Sequence, residues 1–136
     1  MQTYGRTSVH EFLGDMVVYR NLTPMDTRLP SLDALRAEAG IPAGVTPRKS
    51  EKDYARVIAA MLRAARALDA PHSSLARLVY VGDTRLNDGT AFVNICKASR
   101  CPGMVFIGSE NDAPPEVEML EQDAGTLYIA NRWSML

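Results

Sequence analysis

The stretch Leu78-Val79-Tyr80-Val81-Gly82-Asp83-Thr84-Arg85-Leu86-Asn87-Asp88-Gly89-Thr90 decides how this chain is read. Its apolar run, Leu78 to Val81, has the composition of a buried strand and shows no alternation. Gly82 allows a tight turn at the strand end. Asp83 then falls where a parallel sheet presents side chains to ligands, at the carboxyl ends of its strands. Asp88 follows within one short loop. Two carboxylates so placed suit a hard cation such as Mg²⁺, which takes one or two carboxylates plus water and phosphate oxygens. A Gly-Asp pair at a strand end also serves as a plain turn, with an aspartate capping the next helix. The residues alone leave both readings open.

Working outward, the pattern alternates strand and helix. Thr90 to Ser99 is expected to be a helix, Met104 to Gly108 a second buried strand, Pro115 to Gln122 a short acidic helix and Leu127 to Ala130 a last strand. That alternation argues an α/β fold with a mainly parallel sheet. Upstream, Ser31 is a good N-cap for a helix over Leu32 to Ala39, which Gly40 stops. Ser50 is expected to cap the longest helix, Glu51 to Asp69. Its apolar stripe is Tyr54, Val57, Ile58, Met61, Leu62, Ala65 and Leu68. Arg56, Arg63 and Arg66 lie off that stripe and read as a solvated face. Met16 to Arg20 is expected to be the first strand, and residues 1 to 14 a short helix or a lead-in. Pro71 to Ser74 and Ser109 to Pro115 read as turns, and Trp133 as an apolar cover in a docked tail.

The string VGDTRLND resembles the last motif of haloacid dehalogenase-like hydrolases, a Gly-Asp followed by a second Asp. Thr46-Pro47-Arg48-Lys49-Ser50-Glu51-Lys52-Asp53-Tyr54, followed by a long helix, resembles the segment carrying the phosphate-binding lysine of that family. The likeness runs from about Pro47 to Gly108. It implies a small Rossmannoid three-layer sandwich, a mainly parallel sheet of about four strands, and one domain over residues 1–136. It further implies Mg²⁺ held by Asp83 and Asp88, and a lysine that neutralises charge on a phosphoryl group. Lys49 is that lysine by its spacing to Tyr54, with Lys52 in reserve. Thr23 would offer its hydroxyl to phosphate, and the ligand would be a small phosphorylated molecule.

The family's first strand ends in Asp-x-Asp, whose first Asp attacks phosphorus. No Asp-x-Asp occurs in this sequence. If Met16 to Arg20 is that strand, Asn21 and Thr23 occupy the two positions, and an amide is no nucleophile. If it is the family's second strand, Thr23 matches a phosphate-binding position and the first strand is missing. The expectation is a relative of Mg²⁺-dependent phosphatases that is inactive or incomplete, or else a non-catalytic domain that binds a metal, a phosphorylated ligand or a protein. An upstream segment carrying Asp-x-Asp would complete the pattern.

Length and composition bound the rest. A chain of 136 residues, 46% hydrophobic, is enough for one core. The net charge of −1, with both signs interspersed, offers no basic stripe for nucleic acid. No apolar run approaches the ~18 residues of a membrane span. The polar start lacks a signal-peptide core, which makes the cytoplasm the default location. Cys96 and Cys101 lack the spacing of a zinc or redox pair, and two reduced thiols are expected. A sheet this small leaves open edges, so a homo-oligomer is expected.

Overall fold

The computed structural model describes residues 19–20, 22–25, 27–42, 46–69, 74–108 and 114–132. The readings for residues 1 to 18, Asn21, the turn at 71–73, the loop at 109–113 and Trp133 lie outside these.

The chain begins with a hairpin, β1 (Tyr19–Arg20) against β2 (Thr23–Pro24), turned at Leu22 with φ 63°. Helix α1 (Leu32–Ala39) starts at Ser31, whose Oγ accepts the Ala34 N–H at 3.2 Å. It ends at Gly40, which sits at φ 72°, a conformation that favours glycine. There the Ile41 and Gly40 amides return to the Arg36 and Ala37 carbonyls, a double closure that satisfies two orphan acceptors. Helix α2 (Lys52–Asp69) begins after Glu51, whose carbonyl accepts the Ala55 N–H. The start therefore falls one residue later than a Ser50 cap would place it.

The apolar stripe of α2 is two stripes. Val57, Ala60 and Met61 pack with Leu35 and Ile41, joined by Tyr19 and Leu22 of the hairpin. Ala55, with Tyr54, Ile58 and Leu62, packs against Ala91 and Ile95 and reaches Leu78 and Tyr80. Arg56, Arg63 and Arg66 are exposed, as their places off the stripe imply. Arg56 also donates to the Ala39 carbonyl, closing the end of α1.

The main sheet has four strands in the order β3 (Leu78–Gly82), β4 (Gly103–Ile107), β6 (Gly125–Ala130), β5 (Val117–Gln122). β3 with β4 and β4 with β6 are parallel, and only β5 with β6 is antiparallel. A helical turn, Arg85–Gly89, runs from β3 into α3 (Thr90–Ser99), which crosses to β4. Phe92 and Cys96 of α3 press on Val105, Ile107, Leu127 and Ile129, forming the main core. The α/β class and the mainly parallel sheet are those expected.

Three expectations need correction. Residues 117 to 122 form a strand, not a helix: the turn at Asp123–Ala124, with Gly125 at φ 135°, folds them back onto β6. Six residues make a marginal helix, while the hairpin pairs every one of them. Tyr19–Arg20, the described part of the expected first strand, pairs as a strand with β2 and not with the four-stranded sheet. The described helices that touch the sheet also lie on one face of it. On the other face Val79 is 53% and Val81 64% exposed. The run Leu78 to Val81, expected to be a buried strand without alternation, instead alternates half-buried and exposed residues.

Gly103 shows how closely β3, β4 and α3 approach. A Cβ there would meet the Leu78 carbonyl oxygen, with Phe92 Cε1 at 3.0 Å and Cys96 Sγ at 3.1 Å. Overpacking of this kind costs ~1–3 kcal/mol. Gly103→Ala is expected to lower the unfolding free energy by ~2 kcal/mol in urea denaturation, with Gly108→Ala as a comparison whose clash is with the movable Phe106 ring.

Candidate functional site

The carboxyl edge of β3 is organised by Asp88. The residue is 2% exposed. One carboxylate oxygen, Oδ2, accepts the Asp83 amide at 2.9 Å, the Thr84 amide at 3.0 Å and the Thr84 hydroxyl at 3.4 Å. The other, Oδ1, accepts the Tyr80 hydroxyl at 2.8 Å and lies 3.6 Å from Lys49 Nζ. The loop therefore closes on its own last aspartate. Gly82 makes this possible: a Cβ there would stand 2.5 Å from Asp88 Cβ and Cγ.

Burial by itself would raise the Asp88 pKa. The Thr84 amide, the Tyr80 hydroxyl and the Asp83 amide stabilise the charged form and outweigh burial, so the carboxyl titrates well below the usual aspartate range. The same pair moves Tyr80 the other way. Burial raises its pKa, and the hydrogen bond to Asp88 adds to the rise, so the hydroxyl stays a donor.

Asp83 has the opposite character. It lies one residue beyond β3, its backbone N–H engaged by Asp88, and it is exposed. β3 and β4 are parallel and the Gly108 amide donates to the Gly82 carbonyl, so both strands end at one edge. The loop after Gly108, expected beside Asp83, lies outside the described residues, but the strand feeding it ends at that edge. Arg85 spans the edge and grips Glu118 of β5 through its Nε and an Nη, at 3.0–3.1 Å. A cleft on the same edge is lined by Arg85, Ile107, Pro114, Glu118, Ile129 and Asn131.

The four residues singled out from sequence are thus sorted. Lys49, Asp83 and Asp88 converge, although Lys49 is 39 positions from Asp88 along the chain. Lys49, not Lys52, brings its ammonium within salt-bridge distance of Asp88, and its side chain is more than half exposed. Thr23 is exposed on the first hairpin, which packs on the α1–α2 cluster. No hydrogen bond among the described residues ties it to this edge.

Asp88 fits a metal poorly. Both of its oxygens are occupied by protein donors, which leaves no lone pair directed outward. Asp83 is exposed but its carboxyl group also interacts with that of Asp88, and among the described residues no three His, Cys, Asp or Glu side chains group as a metal site. The donor set fits Mg²⁺ only where a phosphate brings the remaining oxygens. Tyr80 was not foreseen as a site residue. Its place eight positions before Asp88, on the helix-facing side of β3, is the only signal the sequence carries.

The cysteines are free and buried. Burial pushes the Cys96 thiol up to about 12 and raises Cys101 as well. Neither forms a thiolate nucleophile near neutral pH. Among the described residues no helix is long and apolar enough to cross a membrane. Comparison with protein-family models, with curated proteins and with solved structures gives no match for this chain.

Asp88→Ala would leave the Asp83 and Thr84 amides and the Tyr80 hydroxyl without their acceptor. At ~1–3 kcal/mol for each unsatisfied buried group, with partial rehydration of the loop, a loss of ~3 kcal/mol is expected. Tyr80→Phe should cost ~1 kcal/mol. The pH dependence has a definite sign. A depressed folded-state pKa gives a contribution that is complete above the unfolded value, about 4, and lost as pH falls below it. The stability gap between the native chain and Asp88→Asn, read from urea midpoints, should therefore be constant near neutrality and narrow steadily below about pH 4.

Proposed function

We propose that this chain is a haloacid dehalogenase-like domain that holds a phosphorylated small molecule, with Mg²⁺, at the carboxyl edge of its sheet and does not turn it over. The observation that carries the reading is the meeting of Lys49 with Asp88. Two segments chosen on separate motifs come within 3.6 Å, at the end of the strand that delivers Asp83.

The roles follow from exposure and hydrogen bonding. Asp88 is an anchor that shapes the loop and fixes the lysine from one side. Lys49 keeps two further N–H donors and an exposed side chain for a phosphate oxygen. Asp83 would hold Mg²⁺ by its exposed carboxylate, beside that of Asp88. When bound, the ion neutralises phosphate oxygens and supplies the charge that this edge lacks.

Turnover needs a nucleophile. The sequence has no Asp-x-Asp, and the two thiols are buried and protonated. Lysine and metal give charge stabilisation, not the covalent step.

Titration calorimetry with phenyl phosphate and Mg²⁺ tests the reading. Millimolar binding is expected that needs both components and is lost in Asp83→Asn. Lys49→Met should weaken it by about tenfold, one charge-assisted hydrogen bond's worth. Release of phenol at ~1–10³ s⁻¹, abolished by Asp83→Asn, would overturn the claim of no turnover. Binding of equal strength in Asp83→Asn would remove the site.

A further inference from the structure

We infer that β3 is the contact edge of a two-fold homodimer, pairing antiparallel with β3 of a second copy in the register that sets Val79 opposite Val81 of the partner subunit. The inference starts from the hydrogen bonding of β3. The Leu78 amide bonds the Pro102 carbonyl, and the Gly82 carbonyl accepts the Gly108 amide. Backbone groups alternate along a strand, so Leu78, Tyr80 and Gly82 direct theirs to β4. Val79 and Val81 direct both N–H and C=O to the outer side, where no strand pairs with β3 among the described residues.

An edge of this kind normally carries charge, proline or a bulge. β3 has none of these: its sequence is LVYVG. The opposite edge strand, β5, carries Glu118 and Glu121, so two copies of it would repel. Parallel strands as apolar as β3 occur almost only inside sheets. Yet the side chains of Val79 and Val81 are 53% and 64% exposed.

A two-fold axis at Tyr80 satisfies all four outward backbone groups of each copy. Val79 exchanges two hydrogen bonds with the partner's Val81, and Val81 two with the partner's Val79. Their side chains then lie side by side on the open face. The flanking positions decide the register. On the same alternation, exposed Arg77 falls opposite the partner's Asp83, and Asp83 opposite the partner's Arg77. Asp83 stands in a bend with its amide held by Asp88, so this pair lies just past the ladder and meets through its side chains alone. Shifting the register by two residues either way sets a valine against a charged side chain. The inference does not depend on ligand binding at Asp83, and its experiment reads association with no ligand present.

Sedimentation equilibrium of the full chain tests it, together with amide exchange at Val79 and Val81. A reversible dimer is expected, and in it those two amides should exchange slowly, becoming fast on dilution to monomer. Each substitution acts twice across the axis. Val81→Lys should weaken association at least tenfold. Arg77→Asp and Asp83→Arg should each weaken it by about tenfold, and the double exchange should restore it to within about threefold. A chain that stays monomeric to millimolar concentration overturns the inference. So does a dimer indifferent to Val81→Lys, a dimer lost instead in Met119→Lys on β5, or a double exchange that fails to restore what the single ones removed. The amide exchange needs no variant, so misfolding of a variant does not shield the idea.

Discussion

The buried carboxylate of Asp88 is the constraint on which the carboxyl edge of β3 rests. A carboxylate hidden from water is costly unless it is richly hydrogen-bonded. Here the strand before it supplies a hydroxyl, the loop supplies two amides and a second hydroxyl, and a lysine stands nearby. The donors outweigh the burial, and the net effect is a stabilised anion. That balance fixes several things together. β3 must end in a residue without a Cβ, since Gly82 sits against Asp88. The turn from Arg85 to Gly89 must bring Asp88 back beneath the strand end. Tyr80 must face the helices. The start of α3 follows, because it continues that turn.

One motif thereby gives two aspartates opposite duties. Asp88 is buried with both oxygens engaged, while Asp83 is exposed, although its amide and its carboxyl group both meet Asp88. Type and spacing make the two carboxylates look equivalent. Accessibility separates them, and accessibility is a property of the closed loop. The Arg85–Glu118 pair completes the edge. Both side chains are about half exposed, so their ion pair contributes at most ~1 kcal/mol. Its effect is on position: it sets a guanidinium across the mouth of the cleft.

What the sequence disclosed was what local chemistry controls. Ser31 and Gly40 bound α1 because a hydroxyl and a left-handed glycine act within a few residues. The α3 helix from Thr90 to Ser99 and the buried strand β4 are carried by their own apolar patterns. The failures share a cause in distant partners. Residues 117 to 122 are strand because β6 pairs with all six, a fact absent from their own composition. Tyr19–Arg20 looked like a strand of the main sheet, but its strand partner is β2. Arg85 and Glu118, 33 positions apart, carry no local sign of each other. Lys49 was legible only through a motif resemblance, and its approach to Asp88 is a tertiary fact.

The two edges of the sheet carry different sequence logic. β5 sets Glu118 and Glu121 among its apolar residues, and Glu118 is engaged by Arg85. Its outward hydrogen-bonding groups are guarded by charge, as an exposed edge requires. β3 has the composition of a strand with neighbours on both sides, yet among the described residues it has a neighbour on one. Local choice and global position agree at β5 and conflict at β3. Natural sequences keep such conflicts few, and tend to hold them at sites that act on something else. At β3 the conflict ends in Asp83, the exposed carboxylate of the candidate loop. The open strand edge and the candidate ligand site are therefore consecutive stretches of the same backbone, and whatever pairs with the first must stand beside the second.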